Sequence, residues 1–304
     1  MKEERKGEFF IIGEALLWSL FPVITVMTFA GLAPITSLSW TTLIAAAFFG
    51  LLMLVKGSWR ELKNPLVWRY GVLISFFIGV WFYGFYYTGL KFTTPGNAGL
   101  IALFEVLTSY VLFNVLRKEP FPAVHKLGAG LMVLGAVIIL GKNYGGFVFG
   151  DFFILAATLL APFGNMFVQK CRELASSETI MFLRSFFSGF FLLGLAAVLG
   201  EQVSAEKAFS VLPALLVNGI VIFGVSKLFW IEGIHRIPVT KAILMQSMTP
   251  LLTLLFAWLL LSQPPTVWQL SSVVPLLLGV VLLTGNFRLK SIVHPLNREQ
   301  HPEV

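Results

Sequence analysis

The chain has 304 residues, of which 57% are hydrophobic and 12% charged, and its mean hydropathy is +0.85. Soluble domains carry about 25% charged residues, so this chain lacks the polar surface to coat itself and is expected to be an integral membrane protein. Its formal charge of +7 then reads as basic loops on one side of a bilayer, and nucleic acid is not expected as a partner.

A bilayer core takes about 20 apolar residues per helix. In chain order, apolar blocks run over 9–30, 34–55, 67–90, 95–116 and 124–141, then 150–169, 177–199, 211–234, 239–261 and 267–286. Ten transmembrane helices follow. Strands are excluded because the blocks show neither alternating polarity nor turns at barrel spacing. The first eight residues are short, polar and of mixed charge, and no cleavable leader is expected ahead of the long block at Phe9. The tail over 287–304, with Arg288, Lys290, Pro295, Arg298 and Pro302, is expected to be solvated. A single cysteine, Cys171, excludes an intramolecular disulfide.

The second half echoes the first. Residues 89–141 align with 233–285 at a constant offset of 144: Gly89 on Gly233, Ala98 on Ala242, Leu107 on Leu251, Pro120 on Pro264 and Gly135 on Gly279. Gly7-Glu8-Phe9 returns as Gly150-Asp151-Phe152 at offset 143. Two repeats are thus expected over 9–141 and 150–286, between a cytoplasmic N-terminus (1–8) and a cytoplasmic tail. Five helices per repeat make the second repeat inverted relative to the first, an arrangement used by alternating-access carriers. Charge supports that topology. Of the 22 Lys and Arg, only Lys91, Lys142 and Lys207 fall in the outside loops, Arg184 and Lys227 lie within helices, and the other seventeen fall on the side of the N-terminus. That bias places both termini in the cytoplasm.

The fourth-span run Thr94-Pro95-Gly96-Asn97-Ala98-Gly99-Leu100, leading to Leu103-Phe104-Glu105, has a ninth-span counterpart. It is Pro238-Val239-Thr240-Lys241-Ala242, leading to Ser247-Met248-Thr249-Pro250. With Trp18-Ser19 in the first span and Gly150-Asp151 opening the sixth, the chain resembles the EamA family of the drug/metabolite transporter superfamily over about residues 7–286. The resemblance implies a ten-helix carrier of the bacterial inner membrane, with the first, third, fourth, sixth, eighth and ninth helices lining a central cavity. No cofactor or catalytic activity is implied.

An ionisable residue at membrane depth costs about 2.5–3.5 kcal/mol on insertion scales, so each needs a partner or a wet cavity. Glu14, Glu105, Arg184 and Lys227 are the four in question. Glu105 and Lys227 fall near mid-membrane, and are expected to form a buried pair that a zwitterionic amino acid can compete for. Tyr83 joins them because its repeat equivalent is Lys227. Lys241 and Asn97, aligned across the repeats near helix entries, suit an anionic group. Gln246 supplies a polar contact, and Trp18 and Trp230 supply aromatic ones. Glu14 and Arg184 are assigned to coupling or gating, and Pro22 and Pro162 to paired hinges.

Transport of a small polar metabolite, most simply export of an amino acid or related compound, is the function expected. Protons are a candidate co-substrate. Two alternatives stay open: exchange of a phosphorylated or nucleotide-linked metabolite, and a retinal-type receptor or pump with a Schiff base on Lys227. The four histidines sit at membrane ends or in the tail, and no nucleotide-binding motif appears, so an enzyme or an ATP-driven pump is not expected.

Overall fold

A computed structural model of the chain describes residues 2–117, 122–140, 148–201 and 204–285. Among the described residues, ten helices are long and apolar enough to cross a bilayer. They are α1 (Lys2–Thr28), α2 (Pro34–Lys56), α3 (Pro65–Leu90), α4 (Pro95–Leu112), α5 (Ala123–Leu140), α6 (Phe149–Arg172), α7 (Ser177–Val198), α8 (Leu212–Arg236), α9 (Lys241–Leu261) and α10 (Val267–Thr284). Large apolar side chains such as Leu51, Val55, Phe190 and Val198 stand exposed on their outer faces. Lipid, not water, is the solvent that tolerates such a surface. Lys118, Pro120, Gly141, Lys142 and the tail lie outside the described residues.

The order of packing follows the duplication. α2 packs on α7, α5 on α10, α4 on α9, α1 on α8 and α3 on α6. Exchanging the two repeats leaves the first three pairs unchanged and swaps the last two, as a two-fold relation requires. The small residues that repeat in sequence make these crossings. A Cβ on Gly89 would stand 2.7 Å from the Gly150 carbonyl oxygen, and one on Gly7 would stand 3.3 Å from that of Gly233. The glycines equivalent in sequence therefore meet crosswise, Gly89 on Gly150 and Gly233 on Gly7. Likewise Gly135 lies against Leu276 and Gly279 against Met132. Glycine is needed at such points because two helix backbones approach more closely than any side chain allows.

α2 and α7 also run antiparallel, with Gly50 against Phe182 and Gly189 against Leu43. Each ends at a glycine in the left-handed region, Gly57 (φ 74°) and Gly200 (φ 69°), which lets the chain turn back at once. Each turn then caps the partner. Glu201 accepts from the amide and hydroxyl of Thr36, both at 2.7 Å, and Glu61 accepts from those of Ser176 at 2.8 and 2.9 Å. These carboxylates satisfy free helix-start amides where the dipole favours negative charge.

Several helices are interrupted along their length. α3 carries π-helical turns over Ser75–Phe82, and α8 carries them over Val217–Val225. α4 breaks at Leu103, and α9 at its equivalent Ser247 and at Met248. α1 breaks at Leu20, ahead of Pro22, whose missing amide leaves the turn incomplete. The expectation of paired proline hinges is corrected here. α6 runs unbroken through Pro162, because the Thr158 carbonyl that a residue-162 amide would engage takes the Thr108 hydroxyl at 2.7 Å instead. The N-terminal segment also differs from expectation. Helix begins at Lys2, held by pairs of Glu3 with Lys6 and Arg236 and of Glu4 and Glu8 with Lys241.

Candidate functional site

α1 and α8 run antiparallel from the glycine crossing inward. Gly7 meets Gly233, Gly13 meets Phe229, Glu14 meets Lys227, and Trp18 meets Phe223. Farther along, Asn218 donates to the Thr25 hydroxyl at 3.0 Å. This register sets the charges of the site. Lys227 follows directly on the π-helical turns of α8, in the first turn of the segment Ser226–Arg236. A buried ammonium needs a partner, so its neighbours matter. Glu14, fully buried, lies 3.4 Å from Lys227 Nζ. The Trp18 ring, one turn beyond Glu14, receives the same ammonium 3.2 Å from its centroid. Gln246 at the end of the first half of α9 donates to both Glu14 oxygens, at 3.2 and 2.9 Å. A desolvated cation over an indole face gains about 2 kcal/mol, and the carboxylate removes the larger cost of an isolated buried charge.

The expected pair of Glu105 with Lys227 is therefore corrected to Glu14 with Lys227. Glu14, assigned from sequence to coupling or gating, is fully buried and faces Lys227. Glu105 opens the second half of α4, where the helix dipole favours a carboxylate, and accepts from Asn165 Nδ2 of α6 at 3.2 Å. Aromatic rings form the wall of the site. Trp18 stacks on Phe21 at 4.8 Å, Tyr83 contacts Phe223 at 4.8 Å and Phe21 at 6.0 Å, and Tyr86 lies 5.1 Å from Phe21. Arg184 of α7 lies over the Tyr83 ring at 5.7 Å.

Burial differs along the site. Phe21, Tyr83, Tyr86, Tyr87 and Phe223 are buried on the side away from the N-terminus, where Asn218 bridges the hydroxyls of Thr25 and Tyr87 at 3.0 Å each. Toward the N-terminal face, Trp18, Glu105, Asn165, Lys227 and Gln246 all retain partial exposure.

Three residues named from sequence lie elsewhere. Lys241 pairs with Glu4 at 2.8 Å and with Glu8 at the N-terminal face. Asn97 sits near the opposite face, accepting from Gln269 at 2.7 Å and within 3.5 Å of Asp151, which also accepts from Thr93. Glu8 and Asp151 are equivalent in the repeats, as are Lys241 and Asn97, so these contacts join helix starts at the two faces. Trp230, one turn along α8 from Lys227, packs with Ile11, Ile237 and Ala242 in a separate cluster. Gln169 is exposed. Three contributors had not been picked out from sequence: Asn165, Phe21 and Phe223. A lone amide within apolar α6 was the available signal for Asn165; Phe21 and Phe223 are indistinguishable in sequence from rings that face lipid.

The chain is similar to a family of transporters. The model of the EamA-like transporter family matches residues 5–141 and 148–285. An uncharacterized transporter of Methanothermobacter thermautotrophicus is 29% identical over 66% of this chain, a stretch that spans 58% of that relative's length. The aromatic amino acid exporter YddG of Ancylobacter novellus is 30% identical over 54% of this chain and 57% of its own. The uncharacterized transporter YoaV of Bacillus subtilis is 19% identical over 93% of this chain and 98% of its own. A solved crystal structure that is 22% identical matches 91% of this chain and 95% of its own with a TM-score of 0.64, and so shares the fold.

Proposed function

Because the chain belongs to the EamA-like transporter family, we propose that it is a secondary transporter exporting a small polar metabolite, an amino acid or a related compound, by alternating access. The observation that carries this reading is the Glu14–Lys227–Trp18 cluster, with Gln246 on one side and Glu105 held by Asn165 on the other. Fixed charges of both signs at membrane depth match a cargo that carries both, and the ring wall suits an apolar side chain. The relative named as an aromatic amino acid exporter points the same way.

The repeats are inverted in this proposal, supported by the antiparallel packing of the equivalent helices α2 and α7 and by the swapped pairs α1–α8 and α3–α6. Both termini face the cytoplasm of a bacterial inner membrane. The conformation described is then the inward-accessible one, its outer side shut by Phe21, Tyr83, Tyr87 and Phe223. Cargo enters from the N-terminal side, its charges meet those of the cluster, and the interrupted segments of α1, α3, α4, α8 and α9 let the aromatic wall part. Glu14 is the candidate for coupling to protons, since cargo that draws Lys227 away leaves it free to take one up.

Exchange of a phosphorylated metabolite is less well supported, because Lys227 is engaged by Glu14 and Lys241 by Glu4 and Glu8, which leaves Arg184 alone among the cations named for the site. A retinal protein finds no support in the family. Uptake into inside-out vesicles of the wild type and of Lys227→Met tests the proposal. Amino-acid uptake by the wild type and less than a tenth of it by the variant is expected, with insertion unchanged. Equal uptake would remove Lys227 from the site.

A further inference from the structure

Arg184 is the site's unexplained charge. It is 5% exposed, and its Nη2 has no hydrogen-bond partner. Among the described residues no carboxylate lies within ion-pair distance of it, whereas Lys56, Lys227, Arg236 and Lys241 all have one. A guanidinium withdrawn from water is retained only where something satisfies it.

Its backbone is fixed. The Ser75 hydroxyl, at the start of the π-helical turns of α3, has the Gly71 carbonyl of its own helix at 2.7 Å and lies 3.2 and 3.1 Å from the Leu183 and Arg184 carbonyls, and Ser188 donates to the Arg184 carbonyl at 2.6 Å. From there the side chain crosses to the Tyr83 ring, 5.7 Å from its centroid. Glu105 is the complementary case. It accepts one hydrogen bond, from Asn165, and no cation lies within ion-pair distance of it among the described residues, because Lys227 pairs with Glu14.

The geometry points to Arg184 as the anchor for the carboxylate of an α-amino acid whose ammonium faces Glu105 and whose side chain lies along Trp18, Phe21, Tyr83 and Phe223. This rests on reading the region as the cargo site, and it assigns the cargo's two charges to Arg184 and Glu105, leaving Lys227 and Glu14 as the partners that cargo binding disturbs. A guanidinium offers two parallel donors matched to a carboxylate, which neither an ammonium nor an amide partner reproduces.

The test is binding to the purified full chain in detergent, measured by calorimetry for phenylalanine, leucine and alanine, each beside its amide. For the wild type, each amino acid that binds is expected to bind at least about tenfold tighter than its amide, the factor for one charge-assisted hydrogen bond lost. In Arg184→Gln the amino acid weakens by that factor while the amide is unchanged, so the ratio falls toward one, and Arg184→Lys recovers part of it. Equal binding of acid and amide by the wild type overturns the assignment without any variant. So does a wild-type ratio kept in Arg184→Gln. Failure of every acid and amide to bind the wild type overturns the cargo-site reading itself, a result distinct from binding without discrimination.

Discussion

Replacing Glu14 by Gln asks whether the cluster at α1 and α8 is an ion pair or a chance approach of two chains. Glu14 is fully buried and Lys227 is 16% exposed at its side chain. Removing one member of such a pair costs about 3–5 kcal/mol, because the survivor is left charged and uncompensated. Here two features bring the loss toward about 3 kcal/mol. The Trp18 face keeps its hold on the ammonium, worth about 2 kcal/mol when desolvated, and Gln246 can bond a glutamine at position 14. At about 2–4 °C per kcal/mol for chains of this order, Glu14→Gln should lower the midpoint of thermal unfolding by about 6 °C or more. Scanning fluorimetry on the chain's eight tryptophans reads this directly, at one fixed scan rate because membrane proteins often unfold irreversibly. The double variant Glu14→Gln, Lys227→Met carries no buried charge at this spot and should recover most of the loss, although transport stays abolished. A single variant as stable as the wild type, or a double variant no more stable than the single, would refute the pairing.

Other consequences are checked more briefly. Gly150→Val should abolish accumulation of folded protein, since α6 touches the α3 backbone there, whereas Gly130→Val, with nothing within 4 Å of its Cβ, should accumulate normally on a detergent sizing column. Thr108→Val should cost about 1–2 kcal/mol by leaving the Thr158 carbonyl unpaired, and close to nothing in a Pro162→Ala background that supplies an amide to the same oxygen; the double-mutant cycle in unfolding midpoints measures the difference. Glu61→Gln and Glu201→Gln should destabilise by similar amounts, about 1 kcal/mol each, because they cap equivalent helices. In a Cys171→Ser background, a cysteine at position 206 should react with an impermeant maleimide on intact cells and one at position 60 only after permeabilisation; the same outcome for both would contradict the inverted topology.

The fold was legible because duplication leaves a record that physical chemistry can interpret. Gly89 and Gly233, or Gly7 and Gly150, align only if each repeat needs the same close approach. The structure shows why: each glycine's partner is the other repeat's. The charge pairing is less legible, because Glu105 and Lys227 both fall near mid-span of their helices and so match in depth. Depth does not say which helices are neighbours. The glycines do contain that information. Once Gly7 is placed on Gly233, antiparallel helices advance together, and about two turns inward from the crossing Glu14 comes opposite Lys227, as observed. The equivalent point of the other crossing holds Tyr83 and Ala157 in place of Lys227 and Glu14. One crossing therefore carries charge and the other an aromatic ring and a methyl group, so a scaffold with two-fold packing has a one-sided site. A cargo with a charged head and an apolar side chain has that same asymmetry. If exchanging the two crossings by the paired substitutions Glu14→Ala, Lys227→Tyr, Ala157→Glu and Tyr83→Lys restored transport lost in Glu14→Ala, Lys227→Tyr alone, the packing symmetry would extend to function. With Arg184 fixed in α7 and Glu105 in α4, neither of which changes place in that exchange, transport is expected to stay lost.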